Sequence, residues 1–265
     1  MRKNFHFILQ GKGGVGKTTI SCFLAQYVKD NLNQDCLCID TDQVNGSFSH
    51  FKTLEVEKLL ILEDNNINQR GWDTLIEKLL TTSKSNIIID NGASSFVPLI
   101  GYAVENNIFE FLIDNKNEEK DFEGNVYIHV PISGGEGLHH TIAGVEKICE
   151  TFENENIKII VWNNPYHGPI EINGKQFIES DVYKKYKNRI NVLTLPKFNK
   201  DTFGEDIREM LEKHRTFKEV VNLETVSVMS RHRYRQVEKK IYELIDQIKD
   251  TFATEQSEDQ IDELE

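Results

Sequence analysis

Residues 9–19 read LQGKGGVGKTT, a run that holds four glycines and two lysines. The stretch before it, Phe5–Leu9, has the continuous apolar character of a buried strand. After the glycines, apolar residues recur at helical spacing at Ile20, Phe23, Leu24, Tyr27 and Val28. Gly11 and the Gly-Lys-Thr block at 16–18 have the spacing of a phosphate-binding loop. The sequence therefore predicts a strand, a phosphate loop and a helix in succession.

The residue types of this loop suit an anionic ligand. Glycines let backbone N–H groups turn towards an anion without a Cβ in the way, and the helix N-terminus adds its own free N–H groups. We expect Lys17 to reach the terminal phosphates of a nucleotide and the Thr18 hydroxyl to ligate Mg²⁺. The predicted nucleotide-binding residues of the loop are Gly11, Lys12, Gly13, Gly14, Val15, Gly16, Lys17, Thr18 and Thr19. The alternative is a solvated Gly/Lys turn.

Composition limits the class of protein. With 265 residues, 38% hydrophobic and 28% charged, the chain has the composition of an ordinary globular protein. No apolar stretch is long enough for a membrane span, and the N-terminus lacks a signal-peptide pattern. The four cysteines have no metal-binding spacing, so we expect them to be reduced in a cytoplasmic protein.

The charge of the chain bears on partners. The net charge is −12, and half of it lies in the last twelve residues, TEQSEDQIDELE. The remainder is still acidic, which argues against broad non-specific DNA binding but not against a local basic patch.

Apolar runs alternate with helical patterns along most of the chain. The strand candidates are Phe5–Leu9, Cys36–Ile39, Ile87–Ile89, Val126–Val130, Ile157–Trp162 and Val192–Leu195, with Phe109–Ile113 as a weaker one. This order predicts an α/β protein with a mainly parallel, doubly wound sheet, helices on both faces and a helical C-terminus. We predict one phosphate-loop domain over residues 1–253 and a disordered acidic tail over 254–265.

Two segments interrupt the alternation. Residues 114–125 form a polar stretch that we expect to be a loop. Residues 169–177 carry Asn173-Gly174 between short apolar-alternating flanks, which predicts a small hairpin.

Acidic residues end two of the predicted strands. Asp40 ends one strand, with Asp42 just beyond it, and Asp90 ends another. The carboxyl ends of parallel strands meet at the edge where the phosphate loop lies, and acids there can hold Mg²⁺ or direct water. The alternative is that each aspartate merely starts a turn.

Lys12 has no part in an ordinary phosphate loop. The block KGGVGK at 12–17 resembles the deviant phosphate loop of the ParA/MinD group of ATPases, and CIDTDQVNGSF at 38–48 resembles their D-x-D-P-Q-x-N stretch. The resemblance implies ATP and Mg²⁺ as cofactors and a homodimer in which Lys12 crosses to the partner's nucleotide. Catalysis is thereby assigned to Lys12, Lys17 and Asp42, with Asp42 positioning the attacking water.

The same resemblance implies the metal and base contacts. It assigns the Mg²⁺ shell to Thr18, Asp40 and Asp90. It assigns the adenine to Asn163 or Asn164, after a strand, and to Pro196 and Lys197 in the next loop; a plain turn is the alternative for each. The chain lacks the family's prolines after Asp42 and Asp90, which leaves the rate of hydrolysis open.

One branch of the group is matched more closely. The blocks IIDNGASSFVPL at 88–99, IVWNNPYHGPIE at 160–171, TFGEDIREML at 202–211 and RTFKEV at 215–220 resemble the TraL proteins, a ParA-like family of plasmid conjugation systems. From the two resemblances together with the missing prolines, we predict a slow ATPase that works as a nucleotide-driven dimer switch in conjugative transfer or partition, with a protein partner of the transfer or partition complex.

Two other functions remain as alternatives. The missing prolines motivate a scaffold that binds a nucleotide, hydrolyses it poorly and recruits a transfer partner. The basic run RHRYRQVEKK at 231–240 motivates a DNA-binding regulator, although a solvated helix face is the plainer interpretation. His139 and His140 do not make a metal site, because adjacent helical side chains point about 100° apart.

Overall fold

The fold is built on a seven-stranded sheet in which every neighbouring pair is parallel. The computed structural model describes residues 1–43, 45–63, 66–67, 69–114 and 121–254. The strands are β1 Arg2–Ile8, β2 Cys36–Asp40, β3 Glu57–Lys58, β4 Leu62–Glu63, β5 Asn66–Ile67, β6 Asn86–Asp90, β7 Glu123–Ser133, β8 Ile157–Asn164, β9 Glu171–Ile172, β10 Lys175–Gln176 and β11 Ile190–Thr194. The order across the sheet is β11–β8–β7–β1–β6–β2–β3.

Helices cover both faces of the sheet. They are α1 Lys17–Gln26, α2 Gln69–Thr81, α3 Phe96–Glu105, α4 Ile108–Ile113, α5 Leu138–Thr151, α6 Asp181–Tyr186, α7 Glu205–Glu212, α8 Phe217–Asn222 and α9 Val228–Ile245. Side chains from α2 to α5 share one buried cluster with Phe5 and Phe7 of β1, whereas α1 and α7 to α9 share the other with Ile8. Because successive side chains of a strand point to opposite faces, a continuously apolar strand supplies both clusters.

Most of the predicted elements are confirmed, and one is wrong. Each of the six main strand candidates lies in a sheet strand, except that Leu9 and Leu195 fall one residue beyond β1 and β11, and β9 and β10 form the predicted antiparallel hairpin with Asn173 and Gly174 between them. Residues 109–113, predicted as a weaker strand, belong to α4 instead. Ile108, Phe109 and Leu112 are the buried residues of α4, and that spacing fits one face of a helix.

The predicted loop over 114–125 and the predicted tail over 254–265 fall partly outside the described residues. Strand β7 begins at Glu123, so the expected loop over 114–125 is shorter than predicted at its C-terminal end, while residues 115–120 lie outside the described residues. The predicted tail also lies outside them from residue 255 onward. Within the described part of the chain, no helix combines the length and the apolarity that crossing a bilayer requires.

A chain of buried polar side chains runs through the middle of the sheet. Trp162 Nε1 donates to His129 Nδ1 over 3.0 Å, so the proton of the neutral His129 ring is on Nε2. That nitrogen lies 3.0 Å from His6 Nδ1, to which it donates. The C-terminal segment covers this row of polar side chains, and the Phe252 ring stacks on His6 with 4.4 Å between the ring centroids. Burial lowers the pKa of His129 to about 3, and burial, followed by the charge of His129, lowers the pKa of His6.

This buried pair should make the folded state sensitive to acid. Below about pH 6.5 the two histidines become protonated in the unfolded chain but stay neutral in the folded one. The free energy of unfolding therefore falls with decreasing pH until the pKa of each folded histidine is reached. We expect His129→Gln to lower the free energy of unfolding at neutral pH and to flatten its acid dependence by roughly 1 kcal/mol per pH unit between about pH 6 and 4. Urea unfolding at a series of pH values measures this, because contributions from groups other than His6, which contacts His129, are common to both proteins. The exposed His140→Gln serves as control, and equal slopes for wild type and His129→Gln would contradict the expectation.

Candidate functional site

The glycine-rich loop follows β1 at the carboxyl edge of the sheet, and β1 lies between β6 and β7. At this point the strand order reverses direction, which is where ligands bind in open α/β sheets. Gly14 has φ +73° and Gly16 has φ +98°, conformations that favour glycine. A Cβ added at Gly13 or Gly14 would meet nothing within 4 Å, so this part of the loop faces open space. The sequence-predicted loop thus has a free concave side at the start of α1.

The two lysines of the loop differ in environment. Lys17 is buried, and its Nζ donates to the carbonyl oxygen of Lys12 over 3.2 Å. Burial lowers the pKa of Lys17, while the charges of Asp90 and Asp42 oppose that shift. The Lys12 residue is exposed. Lys17 therefore lies inside the loop, where a phosphate would meet it, whereas Lys12 is on the surface.

Asp90 at the end of β6 joins the sheet to α1. Its Oδ2 accepts a 2.7 Å hydrogen bond from Thr18 Oγ1, and its Oδ1 accepts a 3.0 Å bond from Ser21 Oγ. Ser47 Oγ donates to Thr18 Oγ1 over 3.2 Å. Burial raises the pKa of Asp90 to about 7, although both hydroxyl bonds act in the opposite direction. The structure thus brings together Thr18 and Asp90, two of the three residues predicted to hold Mg²⁺.

Both carboxylate oxygens of the third residue, Asp40, accept hydrogen bonds from backbone N–H groups. Its Oδ1 accepts from the N–H of Asp42 over 2.9 Å, and its Oδ2 accepts from the N–H of Ser49 over 2.8 Å. Burial raises the pKa of Asp40, whereas these hydrogen bonds lower it. Asp40 therefore shapes the segment that carries Asp42, and its contribution to a metal shell stays a prediction.

Asp42 lies against the segment that follows β6. Its Oδ1 accepts a 3.1 Å bond from the N–H of Asn45, and a Cβ added at Gly92 would be only 2.9 Å from the Asp42 carboxyl carbon. A side chain at position 92 would therefore displace Asp42. The absence of a proline after Asp90 is thus accompanied by a glycine that Asp42 requires.

The loop and strand ends predicted to contact a base surround a cavity of about 320 Å³. Asn164, Pro196 and Lys197 are among its lining residues, together with Phe23 and Ile241. The cavity is continuous with Gly14 and Gly16, so one ligand can reach from the cavity to the phosphate loop. Asn163 is not among the lining residues; its Nδ2 donates to Thr194 Oγ1 over 3.0 Å. The base contacts stay predictions.

Sequence reasoning missed several residues of the site. Ser21 follows Lys17 by one helical turn, and that spacing is the signal that places it beside Asp90. Ser47 is fixed by a loop, and His167, whose Nε2 lies 3.3 Å from the Gly14 carbonyl oxygen, comes from a distant turn. Neither has a sequence signal in a single chain.

The donor set fits a magnesium-bound nucleotide phosphate. A buried ammonium, a hydroxyl and a carboxylate converge beside backbone that only glycine adopts easily, and Mg²⁺ prefers oxygen ligands. Among the described residues, no group of three or more His, Cys, Asp or Glu side chains is arranged to hold a metal ion by itself. A metal here would depend on Thr18, Asp90 and phosphate oxygens together.

The basic run at 231–240 is partly committed to internal contacts. Arg231 donates to the carbonyl oxygen of Leu223 over 2.8 Å, and Arg233 pairs with Asp206. Two of its cations therefore hold α9 to neighbouring elements, which supports the structural interpretation of this run over a DNA-binding surface.

Comparisons with known proteins agree with the geometry. Residues 6–256 match the family model described as the CobQ/CobB/MinD/ParA nucleotide binding domain. Two Escherichia coli proteins named Protein TraL are each 38% identical to this chain, one over 242 residues (91% of this chain and 96% of that protein) and one over 238 (89% and 95%). The structure of a ParA family ATPase from Chlorobium tepidum is 15% identical, covers 91% of this chain and 98% of its own, and superposes with a TM-score of 0.50. At that identity the likeness shows the fold alone.

The conformation of Gly16 should be measurable in stability. A Cβ there would be strained by φ +98° and would lie 2.8 Å from Asn164 Nδ2. We expect Gly16→Ala to lower the free energy of unfolding by about 1–3 kcal/mol in urea titrations. Gly13→Ala is the matched control, because a Cβ at Gly13 meets nothing within 4 Å. An equal loss of stability in the two variants would contradict the assignment of strain to Gly16.

Proposed function

Since the chain belongs to the CobQ/CobB/MinD/ParA nucleotide-binding family, we propose that it binds ATP with Mg²⁺ and acts as a slow ATPase whose nucleotide state controls a homodimer. The observation that carries the proposal is the convergence of the buried Lys17 ammonium with the Thr18–Asp90 pair at the open side of the loop. We also propose that residues 1–253 form one ATPase domain.

The proposed binding reaction follows from the groups present. Lys17 exchanges its bond to the Lys12 carbonyl for the terminal phosphates, and the loop N–H groups and the α1 N-terminus receive the remaining oxygens. Mg²⁺, held by Thr18 and Asp90 with support from Asp40, would neutralise phosphate charge. The adenine would occupy the cavity beside Asn164, Pro196 and Lys197.

The proposed hydrolysis rests on Asp42. Its carboxylate lies on a segment anchored by Asp40, near Lys17, whose pKa its charge affects. From there it would orient a water molecule towards the terminal phosphate. The second candidate is a scaffold that hydrolyses poorly, and the missing prolines after Asp42 and Asp90 favour it.

The proposed switch rests on Lys12. Its exposed position allows it to reach a nucleotide bound to a second subunit. The relatives named TraL support a role in plasmid conjugative transfer or partition, with a protein partner recruited by one nucleotide state. Four free, buried cysteines are consistent with a cytoplasmic location.

Substitution of the two lysines separates binding from dimerisation. Lys17→Ala should abolish ATP binding in calorimetry, because the phosphates lose their main cation. Lys12→Ala should keep ATP binding in the monomer but lower the dimerisation constant by roughly 10² to 10⁴, since two contacts of about 1.5–3 kcal/mol are lost across a two-fold axis. Sedimentation velocity with a non-hydrolysable ATP analogue measures the second effect. Unchanged ATP affinity in Lys17→Ala would refute the proposed function, and unchanged dimerisation in Lys12→Ala would refute the interface role.

Substitution of Asp42 tests hydrolysis alone. Asp42→Ala should lower phosphate release by roughly 10²-fold or more while ATP affinity is retained, because water loses its orienting group. Asn45→Ala is the control, since its contact with Asp42 uses the backbone N–H. Turnover as fast as that of the wild type would show that Asp42 does not position water. A wild type that binds ATP without releasing phosphate would favour the scaffold.

A further inference from the structure

The turn at the end of β8 lies against the phosphate loop. It consists of Asn164 and the 3₁₀ turn Pro165–His167, and Asn164 Oδ1 accepts from the N–H of Tyr166 over 3.2 Å. The other end of the same amide, Nδ2, donates to the carbonyl oxygen of Val15 over 3.0 Å. His167 Nε2 lies 3.3 Å from the carbonyl oxygen of Gly14. Two consecutive carbonyl groups of the loop are therefore bonded from the same turn.

Close backbone packing holds the turn in place. A Cβ added at Gly134 would lie 2.0 Å from the carbonyl oxygen of Gly168, and one at Gly135 would lie 2.9 Å from that of His167. Gly135 has φ +72° and Gly168 has φ +149°, so these residues adopt conformations that side chains disfavour. The backbone at the end of β7 thus supports the turn directly, and the turn has little room to move away from the loop.

The direction of these bonds decides where the loop N–H groups point. The carbonyl of Gly14 shares a planar trans peptide unit with the N–H of Val15, and the carbonyl of Val15 shares one with the N–H of Gly16. In such a unit the carbonyl and the N–H point in opposite directions. Holding both oxygens towards the turn therefore directs the N–H groups of Val15 and Gly16 away from the turn, and successive N–H groups that point the same way can receive an anion.

We propose that Asn164 and His167 are positioning residues that orient the N–H groups of Val15 and Gly16 towards the phosphates of the nucleotide. The inference rests on the proposed function and deepens it, since it assigns affinity for the polyphosphate group to a turn outside the phosphate-loop motif. It also gives Asn164 a role besides base recognition, because each end of its amide makes a hydrogen bond within the protein.

A base-free ligand separates this role from base recognition. The experiment measures dissociation constants for ATP and for inorganic tripolyphosphate, both with Mg²⁺, by calorimetry. His167→Leu and Asn164→Leu each remove a donor to the loop without adding a charge. Each should raise both constants by the same factor, roughly 3- to 10-fold, as expected for one lost hydrogen bond. His167→Gln, whose amide nitrogen can replace Nε2 as donor, should bind both ligands within about twofold of wild type. His140→Leu, the same change at an exposed helical site, should leave both constants unchanged.

The outcomes distinguish this inference from the proposed function. A wild type that binds ATP, with variants that weaken ATP alone, would make Asn164 and His167 base contacts and overturn the inference. Unchanged constants in both variants, or a His167→Gln variant as weak as His167→Leu, would overturn it as well. A wild type that binds ATP but no tripolyphosphate would do the same. A wild type that binds neither ligand would overturn the proposed function and this inference with it.

Discussion

The buried carboxyl group of Asp90 makes the contacts on which the site depends. It is buried at the end of a central strand, and two hydroxyls from the first turn of α1 satisfy it. A buried carboxylate without partners is costly, so β6 and α1 are held at a fixed distance by the bonds of Asp90 to Thr18 and Ser21. The phosphate loop connects β1 to α1, and its conformation is therefore set by elements on both sides. A metal ion at this carboxyl group would also need the Thr18 hydroxyl as a ligand.

Periodicity and motif spacing predicted the sheet and the loop, and the resemblance of several sequence blocks to known proteins indicated the family. These features are local: an apolar strand buried on both sides appears as a continuous apolar run, and a phosphate loop needs glycines at fixed positions. The resemblance to ParA-like proteins and to TraL is confirmed by the family model and by the two relatives. The short helix α4 was missed because a run such as Phe109–Ile113 is too short for its apolar pattern to distinguish helix from strand.

Other contacts of the site could not be predicted from one amino-acid sequence, for a different reason. Three residues of the site contact segments that are far away in the sequence, namely Ser47, Gly92 and His167. Each of these residue types is also common in ordinary turns, so its presence alone predicts no such contact. The pairing of Thr18 with Asp90 was predictable, since a motif on one strand calls for an acid on its neighbour. The bonds of Asp40 to two backbone N–H groups were not, because the sequence shows an acid but not which donors surround it.

The buried histidine pair has a consequence for the order in which the chain folds during synthesis. His6 is in the first strand, yet Phe252 stacks on it, and Asn4 Nδ2 donates to the carbonyl oxygen of Ala253 across a separation of 249 residues. A nascent chain holding the sheet strands but lacking this segment would leave polar groups of β1 without these partners. Contacts of such long range are slow to form, because the connecting chain must first be closed. The segment around residue 252 must therefore leave the ribosome before the first strand reaches its final environment, and chaperones would have access to that strand until then.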